Sequence, residues 1–101
     1  MPVSHTLDSG VARHLASPAT FELPSSAERE GLKPGGLAKL IFRISHGDQL
    51  DVERMWVVVS EVRPEYYIGR LDNDPYCTTE IQSGLRVEFH ADHVIQIKPH
   101  G

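Results

Sequence analysis

Apolar and polar residues alternate with a period of two through much of residues 37–98, which predicts a body of short β-strands. In residues 37–44, Ala38, Leu40, Phe42 and Ile44 share one face and Leu37, Lys39, Ile41 and Arg43 the other, so the first set points inward. Residues 54–62 are β-branched and apolar on both faces, as expected of a central strand with cover on its second side. Met55, Val57 and Val59 form one of those faces; Trp56, Val58 and Val62 form the other. Arg63, Pro64 and Glu65 turn the chain, and residues 66–71 return antiparallel. Gly69 inside that return marks a bulge or a close backbone approach. Residues 86–90 alternate strictly, with Val87 and Phe89 inward. Residues 91–93 suit a single 3-10 turn, and residues 94–98 form a last strand with Ile95 and Ile97 inward.

The connecting segments carry their own signals. Asp8 and Ser9 cap a helix of about two turns, with Val11 and Leu15 on one face and Pro18 beyond its end. Thr20, Phe21, Glu22 and Leu23 alternate as a short strand stopped by Pro24. Ser25 and Glu28 have capping-box spacing for a helix over residues 25–30, with Gly31 as its stop. Pro34, Gly35 and Gly36 form a turn, since Pro presets the first corner and Gly accepts the second. Residues 45–52 read as a mobile acidic loop, and residues 72–84 as a long connection closed by Ser83 and Gly84.

These elements predict a mainly β fold, a small five-stranded SH3-like barrel with a short N-terminal helical lead-in. Residues 1–19 are the polar, partly ordered lead-in and residues 20–98 the single barrel domain. Curling buries an apolar face that a flat sheet of this size leaves wet. The alternative is an α+β arrangement, an open antiparallel sheet covered by a helix.

Composition narrows the class. With 101 residues, one domain buries roughly 65% of its unfolded surface without disulfide or metal support. The single cysteine, Cys77, has no partner for an intramolecular disulfide, which favours a reducing compartment. The N-terminus lacks a basic segment followed by an apolar one, and nothing approaches the ~20 apolar residues of a membrane span. The expected location is cytoplasmic. The formal charge is −4 and the basic residues are scattered, so neither nucleic acid nor an anionic membrane is an expected partner.

Six phrases together resemble the YegJ-like bacterial domain of unknown function. They are Thr20-Phe21-Glu22-Leu23-Pro24, Leu32-Lys33-Pro34-Gly35, Ala38-Lys39-Leu40-Ile41-Phe42, Glu53-Arg54-Met55-Trp56-Val57-Val58-Val59, Gly69-Arg70-Leu71-Asp72-Asn73-Asp74-Pro75, and Val87-Glu88-Phe89-His90 followed by His93-Val94-Ile95. The chain departs from the expected pattern at Gly36 and Leu85, where an acidic residue would follow Gly35 and Gly84. The resemblance implies a small bacterial intracellular or phage-associated protein and brings no activity with it.

The candidate recognition residues are Asp48, Asp51, Glu53, Arg54, Trp56, Asp72, Asn73 and Asp74. Arg54 and Trp56 project to one strand face, where a guanidinium fits beside an indole; the plainer reading makes Trp56 a plug at one end of the barrel. Asp72, Asn73 and Asp74 offer oxygen ligands, but no calcium-loop Gly or distal Glu accompanies them, and Asx turns account for the same residues. Asn73 is suited to pinning the long connection through its side-chain amide. His90, His93 and Cys77 fall short of a four-ligand zinc set, and no catalytic constellation is present, so no metal, cofactor or enzymatic activity is expected. The expected function is a protein-binding module, monomeric or a weak homodimer, that inhibits or neutralises a partner by contact. The alternative is a ligand- or metal-dependent sensor using Trp56, Tyr66 and Tyr67 with the Asp72 to Asp74 segment.

Overall fold

A computed structural model of the chain describes residues 3–99. The chain runs through β1 (Ser4–Leu7), α1 (Gly10–Ala16), α2 (Ser26–Glu30), β2 (Leu37–His46), β3 (Gln49–Val62), β4 (Tyr67–Leu71), β5 (Arg86–Phe89), a 3-10 turn (Ala91–His93) and β6 (Gln96–Lys98). All strand pairs are antiparallel, in the order β1-β2-β3-β4-β5, and β6 returns to pair with β2. The sheet curls into a mainly β, barrel-like fold.

β2 is the strand on which the curl closes. One edge pairs with β3 over its whole length; the other is shared, with β6 on Leu37 to Lys39 and β1 on Phe42 to Ser45. β3 changes partner along its length. Its first residues register only with β2, its last only with β4, and Val57 and Val58 with both. A register shift between Val59 and Glu61 leaves Ser60 as the extra residue of a bulge, which adds local twist where the sheet bends.

The inner face carries the alternation expected of it. Ala38, Leu40, Phe42, Ile44, Val57 and Phe89 are all 0% exposed, and Met55, Val59, Leu71 and Val87 are buried beside them. Leu32, Ile81 and Val94 fill the rims from three separate connections. Buried Tyr67 donates from its hydroxyl to the Arg29 carbonyl at 2.8 Å and accepts from the Leu32 amide. Arg29 is 8% exposed, and its guanidinium donates to the Pro24 and Ala91 carbonyls, which ties α2 to the 3-10 turn. A buried cation is tolerated when its donors are satisfied in this way.

The helix caps form as their residues require. Ser9 Oγ accepts from the Ala12 amide, and Ser25 and Glu28 exchange both capping-box bonds.

Several expectations are corrected. Residues 45–52 are not a mobile loop: β2 and β3 form a continuous hairpin turned by Gly47 and Asp48. Gly47, at φ 61°, supplies the positive φ that a two-residue hairpin needs at its first central position. Thr20 to Leu23 form no strand, because the Thr20 and Phe21 amides are taken by the Ser17 carbonyl in a turn after α1. A sixth strand, β1, lies within the expected lead-in and joins the same sheet; residues 1 and 2 of that lead-in lie outside the described residues. Val94 rather than Ile95 enters the main core, while Ile95 packs near Gly10 of α1.

Gly69 marks a close approach. A Cβ built there would collide with Val57 Cγ1 and lie 2.8 Å from the Val58 carbonyl oxygen and 3.3 Å from the Phe89 ring. Gly69→Ala is therefore expected to destabilise by about 1–3 kcal/mol through overpacking. A urea midpoint equal to the parent's would refute the close-packing account.

Candidate functional site

The partner switch along β3 creates a problem of exposed backbone. Upstream of Val57 the edge facing away from β2 has no strand partner, and an unpaired edge presents free amides and carbonyls. Residues 72–77 cover it. The Trp56 amide donates to Asn73 Oδ1 at 2.7 Å, and the Asp72 amide donates to the Trp56 carbonyl at 2.9 Å. Three residues upstream, the Glu53 carboxylate accepts from the Tyr76 amide at 2.9 Å and the Cys77 amide at 3.1 Å. Asp74 Oδ1 accepts from the Ser83 amide at 2.8 Å, folding the rest of the connection back on itself. Asn73 thus does the pinning its side chain suggested, and Glu53 and Asp74 are equally engaged.

Strand parity divides the predicted residues between two faces. Asp51, Glu53 and Met55 project to the inner side, beyond the end of the core. Leu50, Val52, Arg54 and Trp56 project to the outer side. The Arg54 guanidinium lies 5.3 Å from the Phe21 ring centre, and the Lys39 ammonium lies 5.5 Å from that of Trp56. Arg54 and Trp56 share a face as expected, but each takes a different partner, and Trp56 is a half-buried outer-face residue, not a barrel plug. A cleft of about 500 Å³ lies beside Arg54, lined also by Phe21, Leu23, Lys39 and Ile95 among others.

At the inner side of the hairpin end, His46 Nε2 donates to Asp51 Oδ2 at 2.6 Å. Cys77, held by Glu53, brings its sulfur to the same place: one ligand atom each from His46, Asp51 and Cys77 lies within 4.8 Å of the others. Burial first, then hydrogen bonding to Glu53 and the charges of Glu53 and Asp51, pushes the Cys77 thiol up to about 11. For Glu53, burial acts to raise its proton affinity, but the Tyr76 amide and the Cys77 thiol and amide outweigh it and hold the carboxyl below its ordinary value. Asp48 and Asp72 are exposed, and Tyr76 is fully exposed at 101%.

Other groupings separate. Among the described residues Cys77 clusters with His46 and Asp51 rather than with His90 and His93. The His90 amide donates to His93 Nδ1 at 3.0 Å, and the His90 ring donates to the Glu65 carbonyl. Tyr67 is buried in the core and Tyr66 precedes β4 while Asp72 follows it, so Tyr66 and Tyr67 do not join Trp56 beside residues 72–74. The sequence reading missed His46, Cys77 and Tyr76 at this end of β3. Treating Gly47 and Asp48 as a two-residue turn would have placed His46 beside Asp51; no spacing signal brings in Cys77. No family model, curated protein or solved structure matches the chain. No helix among the described residues is long and apolar enough to cross a membrane.

Glu53→Ala leaves two amides without their acceptor and is expected to cost about 1–3 kcal/mol, measured by urea unfolding. Because its folded proton affinity lies below the ordinary carboxylate value, the stabilisation from Glu53 is complete above the unfolded pKa of 4.5 and is lost as pH falls through the folded value. The difference between parent and variant should accordingly shrink below about pH 4.5; a constant difference down to acid would exclude the carboxylate as its source. Asn73→Ala should cost about 1–2 kcal/mol, whereas Asn73→Asp, which keeps the acceptor, should cost less.

Proposed function

We propose that the protein is a small intracellular binding module that acts by contact with a protein partner, in the manner of an inhibitor or immunity protein, without chemistry of its own. The observation that carries this reading is the fastening of residues 72–77 alongside the start of β3. It lays the exposed Asp72, Asp74 and fully exposed Tyr76 of the connection alongside β3, whose hairpin carries Asp48 and Asp51, and these groups are read as one acidic surface. Acidic groups accompanied by an exposed aromatic side chain suit a basic partner surface: the charges speed encounter and the aromatic ring supplies the anchor. Glu53 serves this surface by positioning Tyr76, and Arg54 and Trp56 belong to the other face.

Two further features support the reading. The Cys77 thiol, pushed up to about 11, is the reverse of an activated nucleophile. The strand order, with a long β2–β3 hairpin, a 3-10 turn before β6 and β6 returning to β2, supports reading this barrel-like fold as SH3-like. Membership of the YegJ-like domain family belongs to the same proposal and rests on the phrases quoted above.

The test is capture of protein partners on the immobilised chain, compared with the Asp51→Asn, Asp72→Asn, Asp74→Asn triple variant and with Tyr76→Ala. A specific partner should be retained by the parent and bind the triple variant with a slower association rate and less salt dependence. Tyr76→Ala should weaken the complex by about 2 kcal/mol, roughly thirtyfold in affinity. Equal retention of that partner by all three chains, each with parental circular dichroism, would reject the surface.

A further inference from the structure

We propose that His46, Asp51 and Cys77 form a binding site for a single zinc-class divalent metal ion at the turn end of the β2–β3 hairpin. Three separate pieces of chain supply the donors: the last residue of β2, the early part of β3 and the 72–84 connection. The hairpin register puts Ile44 opposite Asp51 and His46 opposite Gln49, so His46 and Asp51 are diagonal neighbours on the inner side. Cys77 is carried to them by the Glu53 carboxylate, which grips the amides of Tyr76 and Cys77. All three residues are half-buried, open enough for an ion to enter.

The donor set selects the metal. One thiolate sulfur, one imidazole nitrogen and one carboxylate oxygen match zinc and its close analogues, whereas calcium and magnesium require oxygen throughout. With bond lengths of about 2.0–2.3 Å, tetrahedral donors sit roughly 3.5 Å apart. The present spread of 4.8 Å closes to that by small side-chain rotations at a hairpin end. The 2.6 Å contact between His46 Nε2 and Asp51 Oδ2 already aims both groups at one point, held together by a proton that a metal ion would replace. On binding, the Cys77 thiol releases its proton to solvent, and the proton between His46 Nε2 and Asp51 leaves that nitrogen, through solvent to Nδ1, so that the Nε2 lone pair is free for the ion. Three protein ligands leave one tetrahedral position to solvent. Charge favours the exchange: Asp51, the Cys77 thiolate and the adjacent Glu53 together carry the negative charge that a divalent cation offsets. Glu53 is a positioning residue here, orienting the ligand Cys77 through its backbone.

This inference does not depend on the partner reading. The test is titration of the reduced full chain with cobalt(II), a spectroscopic stand-in for zinc. The parent should bind one equivalent with a thiolate-to-cobalt charge-transfer band, displaced by zinc. Cys77→Ser should abolish the band. His46→Gln and Asp51→Asn should each weaken binding by at least about tenfold, and His93→Gln should change nothing. In the unaltered chain, zinc should slow the reaction of Cys77 with a thiol-specific disulfide reagent, a readout independent of how any variant folds. Absence of both the band and this protection in the parent would overturn the proposal. So would binding insensitive to His46→Gln and Asp51→Asn, or lost in His93→Gln.

Discussion

The ladder between β2 and β3, ten residue pairs from Leu37 with Val58 to His46 with Gln49, is the constraint on which the molecule depends. A strand has a side-chain period of two, so a slip of β3 by one residue would carry Met55 and Val57 off the face on which β2 buries Leu40, Phe42 and Ile44. The same register settles the polar residues. It places Asp51 and Glu53 on the inner side with His46, and Arg54 and Trp56 on the outer side with Lys39. The chemistry of both faces is therefore a consequence of one hydrophobic pairing.

A curled sheet whose longest strand changes partner leaves stretches of edge and rim uncovered. Here polar side chains reaching to backbone close them. Asn73 and Glu53 fasten the long connection along β3, while Arg29 and Tyr67 fasten α2 and the segment after it across the opposite part of the core. Each such bond contributes modestly, yet leaving its buried partner unmade is expensive, so these few side chains hold segments that lack regular structure. Residues that look like recognition groups in a list of charges are in part fasteners.

That dual use shapes the proposed surface. Glu53 spends its carboxylate internally and in return presents Tyr76 outward and Cys77 inward. Asp48 and Asp72 keep their charge exposed, whereas Asp51 is shared with His46. On the far side of β3, Lys39 and Arg54 rest on aromatic rings, a cation–π arrangement worth about 0.5–1 kcal/mol at exposed sites. β3 thus separates an acidic side from a cationic, aromatic one, and the contact reading uses only the first.

Local pattern alone determined the inner faces of β2, β3 and β5, the helix caps at Ser9 and Ser25 and the turns at Pro34 and Pro64, because alternation and capping depend on neighbours close in the chain. Gly69 and Asn73 were also legible, since a side chain missing from an apolar run and an amide in a long connection each have few physical uses. Tertiary structure alone decided that Ser4–Leu7 would pair with β2, that Arg29 would be buried, and that Cys77 would meet His46 and Asp51 from far along the chain. None of these leaves a periodic trace. Each arises where an unpaired strand edge or an open rim must be covered, and the choice of covering segment depends on backbone groups that only the assembled sheet exposes.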